Sequence, residues 1–185
     1  MPEDPYSLLD RSFAAVDALI AGIGPDQWSA PTPCSDWSVN RLVGHVVGMN
    51  RIFVAMLAGE PPPGRADIEP EQLLQAYRES AARLRAIFSE PGVLDRTFES
   101  PMGRATGAER LMIRLYDLLA HGWDLSRATA QPANLPEDAA EAALAFARGQ
   151  VVDETRPGRF EPAQEVPADA PAIDRLVAFL GRSVA

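Results

Sequence analysis

Three side chains in this sequence have the types and the spacing to hold a metal ion: His45, Asp117 and His121. Asp117 and His121 lie four residues apart in TGAERLMIRLYDLLAHGWDLSRATA, residues 106–130. On a helix that spacing stacks the two side chains with Cβ atoms roughly 5–6 Å apart, so a carboxylate and an imidazole can converge on one cation. The plainer alternative is a solvated pair on an exposed polar strip, because Arg110, Arg114 and Asp124 fall in the same sector. His45 is the other of the chain's two histidines, and it sits among Leu42, Met49 and Ile52 rather than on the polar side with Arg41 and Arg51. A histidine aimed at a core has to be hydrogen-bonded, bound to a metal, or costly. Three N/O ligands plus water describe an open zinc site of the catalytic type, and imidazole suits iron or nickel as well. With both histidines in that use, no Ser–His–Asp triad can be assembled. The single cysteine, Cys34, invites a nucleophilic reading because thiolates are reactive. A small side chain packed in a loop explains it more simply, and Trp123 beside His121 reads as core.

The elements that must position these residues are helices. Thr106 and Glu109 form a T-x-x-E capping box, and Leu111, Leu115, Leu118, Gly122 and Leu125 then recur at helical spacing. His45 belongs to a helix capped by Ser38, with apolar positions Val39, Leu42, Val46, Met49, Phe53 and Met56, ending near Ala58 before Gly59 and the PPPG break. Leu9, Phe13, Val16, Ile20 and Ile23 mark an earlier helix that ends near Gly22 or Gly24. Pro70 opens another that runs through Leu73, Tyr77 and Leu84 to about Phe88. Pro136 opens a fifth with Glu137 and Asp138 in its first turn, and Ile173 to Leu180 is a short last one. Residues 25–37 and 93–105 read as loops, with brief extension around Arg96 to Glu99, and residues 155–171 as an irregular wrap. No strand pattern stands out. The expectation is an all-α, up-and-down four-helix bundle with an extra helix and a short C-terminal one, forming one domain over residues 1–185. In it the His45 helix faces the Asp117/His121 helix, since such bundles build metal sites on facing helices.

Bulk properties exclude several function classes. Acidic residues outnumber Lys plus Arg by 26 to 17 over 185 residues, and a formal charge of −9 repels a phosphate backbone, so nucleic acid is not an expected partner. No apolar run approaches the ~20 residues a membrane-spanning helix needs, so no membrane partner is expected. MPEDPYSLLDRS lacks the basic-then-apolar order of a secretory signal. One cysteine, too few for an internal disulfide, agrees with a reducing, cytoplasmic setting. Assembly is left open between a monomer and a homodimer.

Two stretches resemble a known family. Trp28 to His45, WSAPTPCSDWSVNRLVGH, is similar to the Trp…Thr-Pro-Cys…Trp-Thr-Val…Leu…His signature of the mycothiol-dependent maleylpyruvate isomerase family. Asp117 to Thr129, DLLAHGWDLSRAT, resembles its Glu-x-x-x-His-Gly-Trp-Asp-Leu-Ala-x-Ala-Thr motif. Val166 to Arg182 resembles the close of an actinobacterial branch of uncharacterised single-domain members. The resemblance implies a DinB-like bundle, a divalent metal (zinc in the isomerase) at His45, Asp117 and His121, and chemistry with a thiol cofactor such as mycothiol. Two departures bear on how far it carries. Asp117 stands where the isomerase pattern has glutamate, one methylene longer. The sterol-carrier-like domain that follows in the isomerase has no counterpart in this sequence. Arg114 and Arg127 are candidate clamps for a substrate carboxylate.

Two function classes follow. One is a metal-dependent thiol S-transferase or isomerase acting on a small electrophile, with a small-molecule thiol as its partner. The other is a non-catalytic bundle that binds a metal or a partner.

Overall fold

The computed structural model describes residues 4–34, 36–64, 67–101, 103–152 and 156–184. Six α-helices account for most of them: α1 (Pro5–Ala21), α2 (Val39–Ala58), α3 (Pro70–Phe88), α4 (Gly107–Ala128), α5 (Glu137–Gln150) and α6 (Ala172–Phe179). Each boundary has a local cause. Asp4 accepts a hydrogen bond from Tyr6 N ahead of Pro5 at the start of α1. Ser38 Oγ accepts from Arg41 N at 3.3 Å to open α2, and Gly59, at φ 72°, closes it in the left-handed conformation that glycine adopts without penalty. Pro70 occupies the first position of α3, where its missing N–H is not needed.

The start of α4 is the most elaborate. Thr106 Oγ1 accepts from Glu109 N at 3.2 Å, while Thr106 N donates to Glu109 Oε2 at 2.7 Å, so the expected capping box is formed. Two short strands lead into it, β1 (Thr97–Phe98) and β2 (Ala105–Thr106), paired antiparallel. The expected brief extension near Arg96 to Glu99 is therefore one arm of a hairpin, and the reading of no strands at all is corrected by these four residues. Arg110 explains their stability. Its guanidinium is buried and donates to Phe98 O at 3.0 Å and Gly103 O at 2.5 Å, taking up carbonyls of the hairpin.

In the bundle, α1 packs along α4 and α2 along α3, with α1–α3 and α2–α4 closing the square. α5 and α6 pack on each other and on the outer side of α4. α2 and α4 run antiparallel, since Asn50 meets Arg114 and His45 meets His121. The helix carrying His45 thus faces the helix carrying Asp117 and His121, as the spacing predicts. Gly122 lets α4 approach its neighbours closely: a Cβ there would lie 3.0 Å from Val16 Cγ2 and 3.1 Å from Leu135 Cδ2. By length and composition α2, at 20 residues, is long and apolar enough to cross a membrane. Its Val39, Leu42, Val43, Val46, Val47 and Phe53 instead fill the bundle core.

The capping box generates a test. Hydrogen bonds from the Thr106 backbone and hydroxyl hold the Glu109 carboxyl below its usual pKa. A carboxyl lowered on folding adds stability above its unfolded pKa, and that stability is lost as pH falls through the folded value. Glu109→Gln is therefore expected to flatten the acid limb of a stability–pH curve below about pH 4.5, the ordinary value for glutamate. Thr106→Ala is expected to cost about 0.5–2 kcal/mol near neutral pH, and less in acid, where the bond from its hydroxyl to the ionised Glu109 carboxylate is no longer at stake. Urea melts at a series of pH values check both.

Candidate metal centre

The polar sector of α4 is not a solvated strip. Arg110, Arg114, His121 and Asp124 are all buried, and only Asp117, its side chain 24% exposed, reaches the surface. That overturns the plainer reading of the Asp117–His121 pair and raises the question of what satisfies each group.

Arg114 is answered first. Its side chain is wholly buried, and it donates through Nε to Asn50 Oδ1 at 2.9 Å, through one terminal nitrogen to Asp117 Oδ2 at 2.6 Å, and through the other to Val46 O at 3.3 Å. Asn50 passes the contact on, donating to Ser80 Oγ at 3.1 Å, and Ser80 donates to Tyr77 O at 2.9 Å. The network joins α4, α2 and α3. It also corrects the expectation of a substrate clamp, because Arg114 faces no solvent and its donors are engaged. Arg127 is no clamp at this centre either. It lies over the Trp123 ring at 5.1 Å and donates to Val184 O at 3.1 Å.

With Asp117 Oδ2 on Arg114, the other oxygen is directed to His121: Oδ1 is 3.4 Å from His121 Nε2. The opposite ring nitrogen, Nδ1, is 3.1 Å from Asp124 Oδ2. Asp124 is itself gripped by Arg182, with Nε 3.2 Å from Oδ1 and a terminal nitrogen 2.9 Å from Oδ2. His45 comes from α2, its ring 5.0 Å from that of His121 and nearly perpendicular to it. Trp37 forms the wall above both, 4.6 Å from His45 and 6.2 Å from His121 between ring centres, with the Arg41 guanidinium over its outer face at 5.1 Å.

The protonation states of His45 and Asp117 suit a cation. Burial pushes the His45 imidazole down to about 4, so it is neutral at pH 7 with a lone pair to give. Burial works to raise the Asp117 carboxyl, but His121, Arg114 and His45 around it prevail and hold it well below the usual range, so it is ionised. Burial opposes charge on His121, but Asp117 and the hydrogen bonds to Asp124 and Cys34 prevail and hold its pKa well above the ordinary value, so a cation there has to displace a proton. One ligand atom from each of His45, Asp117 and His121 lies within 4.8 Å of the others. Two ligands on one tetrahedral zinc are roughly 3.3 Å apart, given bond lengths of about 2.0–2.1 Å. The Asp117–His121 separation is close to that bite, so this pair could hold one edge of a small divalent cation's shell, with Arg114 fixing the other carboxylate oxygen.

Cys34, His121 and Asp124 form a second group whose donor atoms lie within the same distance. There Asp124 already carries a two-point arginine, so both of its oxygens are engaged and a cation would face the Arg182 charge. Cys34 is half-buried and packed on the core, in agreement with its plainer reading, and it sits closer to the centre than that reading foresaw. Trp123 is core as read, with its indole N–H donating to Asp174 at 3.0 Å. Residues that the sequence alone did not single out are Trp37, Asn50 and Arg182. Asn50 carried a signal of the same kind as His45, a polar side chain among Val46, Val47 and Phe53 on an apolar face.

An antiparallel α2/α4 pair carrying His and Asp/His donors in a four-helix bundle defines a helical protein with a candidate metal centre. Residues 9–126 match the family described as the mycothiol maleylpyruvate isomerase N-terminal domain, and the chain belongs to that family. An uncharacterised protein of Mycobacterium tuberculosis is 40% identical over 185 residues, covering 98% of this chain and 99% of the relative. A second uncharacterised protein of that organism is 27% identical over 135 residues, covering 61% of this chain and 51% of its own length. Among solved structures, the mycothiol-dependent maleylpyruvate isomerase superposes with a TM-score of 0.59 at 15% identity, and a mutant of it with 0.61 at 16%. Both matches cover 75% of this chain and 65% of the isomerase, so the chain spans about two thirds of that enzyme's length. The likeness establishes the DinB-like helical fold expected from the sequence.

The buried network makes a stability prediction. Asn50→Ala leaves Arg114 Nε without its acceptor, and a buried donor left unsatisfied costs about 1–3 kcal/mol. The expected result is a lower urea midpoint with an unchanged denaturant slope, followed by circular dichroism.

Proposed function

We propose that this protein binds a divalent metal, zinc by preference, through His45, Asp117 and His121, and uses a small-molecule thiol of the mycothiol type on a small electrophilic substrate, as an S-transferase or isomerase. The observation that carries the reading is the convergence of those three donors from α2 and α4 at a partly open position, in a chain of this family. When bound, the cation would supply a Lewis-acidic position at which a thiol is held as thiolate near neutral pH. Nickel and iron remain chemically compatible with two imidazoles and a carboxylate.

The chain's own residues have distinct parts in this. Arg114 orients Asp117 so that one oxygen faces the centre. Asp124 accepts from His121 Nδ1, which leaves Nε2 as the ligand atom. Trp37 shields the two imidazoles from solvent on one side. The half-buried His45 and Asp117 leave a side from which a thiol and an electrophile can enter.

His45→Ala, Asp117→Ala and His121→Ala are each expected to lower zinc occupancy, and Cys34→Ala is not, because two remaining ligands compete poorly with water and buffer. Asp117→Glu restores the family's longer carboxylate. Binding comparable to or tighter than wild type is expected if Asp117 is a ligand, and weaker binding if it only orients His121. Calorimetric titration with zinc reads all five variants. Equal affinity in the wild type and the three alanine variants of the proposed ligands rejects the centre. Zinc in protein purified without chelator, together with mycothiol consumption in a conjugation assay, supports an enzyme. Zinc without any thiol chemistry supports the non-catalytic bundle.

A further inference from the structure

The C-terminal segment carries a residue into the centre. Arg182 follows α6, and its side chain is only 13% exposed although it stands three residues from the last position of the chain. The backbone puts it there. Gly181, at φ 96°, reverses the chain after α6, with Gly181 N donating to Ala178 O at 2.9 Å and Arg182 N to Val177 O at 2.9 Å. A Cβ on Gly181 would lie 2.6 Å from Glu161 O, so a side chain there is excluded by space as well as by conformation. The turn aims Arg182 back at α4, where both oxygens of Asp124 receive it. Two further contacts dock the same segment on the same stretch of α4: Trp123 donates to Asp174 at 3.0 Å and Arg127 to Val184 O at 3.1 Å.

We propose that Arg182 is a positioning residue for the metal centre, acting through Asp124 on His121, so that docking of the C-terminal segment and metal binding strengthen each other. The proposal rests on the reading of His45, Asp117 and His121 as ligands. Its physical basis is that Asp124 is a fully buried carboxylate with two partners, Arg182 and His121. Held by the two-point arginine, Asp124 presents Oδ2 to His121 Nδ1 in one orientation, which fixes the ring and leaves Nε2 toward Asp117 and His45. Without Arg182 the carboxylate loses its fork and can turn from the ring. Linkage is reciprocal, so whatever Arg182 adds to metal affinity the metal adds to the docking of α6. Arg182 lies outside the family match at residues 9–126, so the family signature does not contain it.

The test uses the full chain with zinc as the probe. Arg182→Gln is expected to keep the helical signal and to bind zinc more weakly, by up to the roughly 10–100-fold that losing Asp124, the direct partner of the histidine, would cost. Arg182→Lys, which keeps the charge without the fork, is expected to fall between the two. In wild type, zinc should slow hydrogen exchange across Ala172–Phe179, and that slowing should diminish in Arg182→Gln. Nitrogen-15 spectra of the imidazoles should show His121 protonated at Nδ1 in the zinc-loaded wild type and mixed in the variant. A folded Arg182→Gln with wild-type zinc affinity overturns the proposal while leaving the metal centre standing. Should that variant fail to fold, wild-type affinity in Arg182→Lys overturns it equally. Zinc affinity unchanged in His121→Ala rejects the centre itself and this inference with it.

Discussion

Arg114 has no contact with water, and much of the interior is arranged around that fact. A buried guanidinium is tolerable only when its charge is balanced and its donors are met. Asp117 supplies the charge from the next turn of α4, Asn50 and the Val46 carbonyl supply acceptors from α2, and Ser80 and Tyr77 extend the polar line into α3. The result does two jobs with one set of bonds. It ties together helices that belong to different pairs, α1/α4 and α2/α3. It also leaves the other Asp117 oxygen facing His121 Nε2, at the place where His45 and His121 meet.

His121 is held in a comparable way from both ends. Nε2 faces Asp117 and Nδ1 faces Asp124, and the two carboxylates differ in what else they touch. Asp117 reaches solvent, whereas Asp124 is sealed beneath Arg182. Exposure separates their parts: the partly open carboxylate can join an exchangeable ligand set, and the sealed one can only orient. An i, i+4 and an i, i+3 relationship on one helix thus give a single imidazole two carboxylate partners of different function.

Much of this was legible beforehand. The helix ends were written in local chemistry, at Ser38, Gly59, Pro70 and the Thr106/Glu109 box, and each needs only neighbouring residues to take effect. The facing of the two helices was expected from the bundle, with His45 on the apolar side of its helix, whereas His121 was read in the polar sector of α4. What was misjudged was burial of charge. Arg110 and Arg114 read as solvated because an arginine on a helix commonly is, and only the fold shows the carbonyls of residues 98, 103 and 46 waiting for them. Backbone acceptors leave no mark in a sequence. Arg182 was hidden for a different reason: its partner is 58 residues away, and the turn at Gly181 that aims it inward depends on the packing of Glu161.

The same geometry explains why a centre at this seam suits the fold. α2 and α4 meet less extensively than the pairs α1/α4 and α2/α3. Apolar packing alone would close such a seam, but Asn50, Arg114, Asp117 and His45 keep it polar at the cost of core volume. Buried polar groups are retained where each is satisfied, and Asn50, Arg114 and Asp117 satisfy one another across the seam. The polar character of this seam thus follows from one structural decision, which is to carry a buried arginine between two helices that could otherwise have been zipped with leucine.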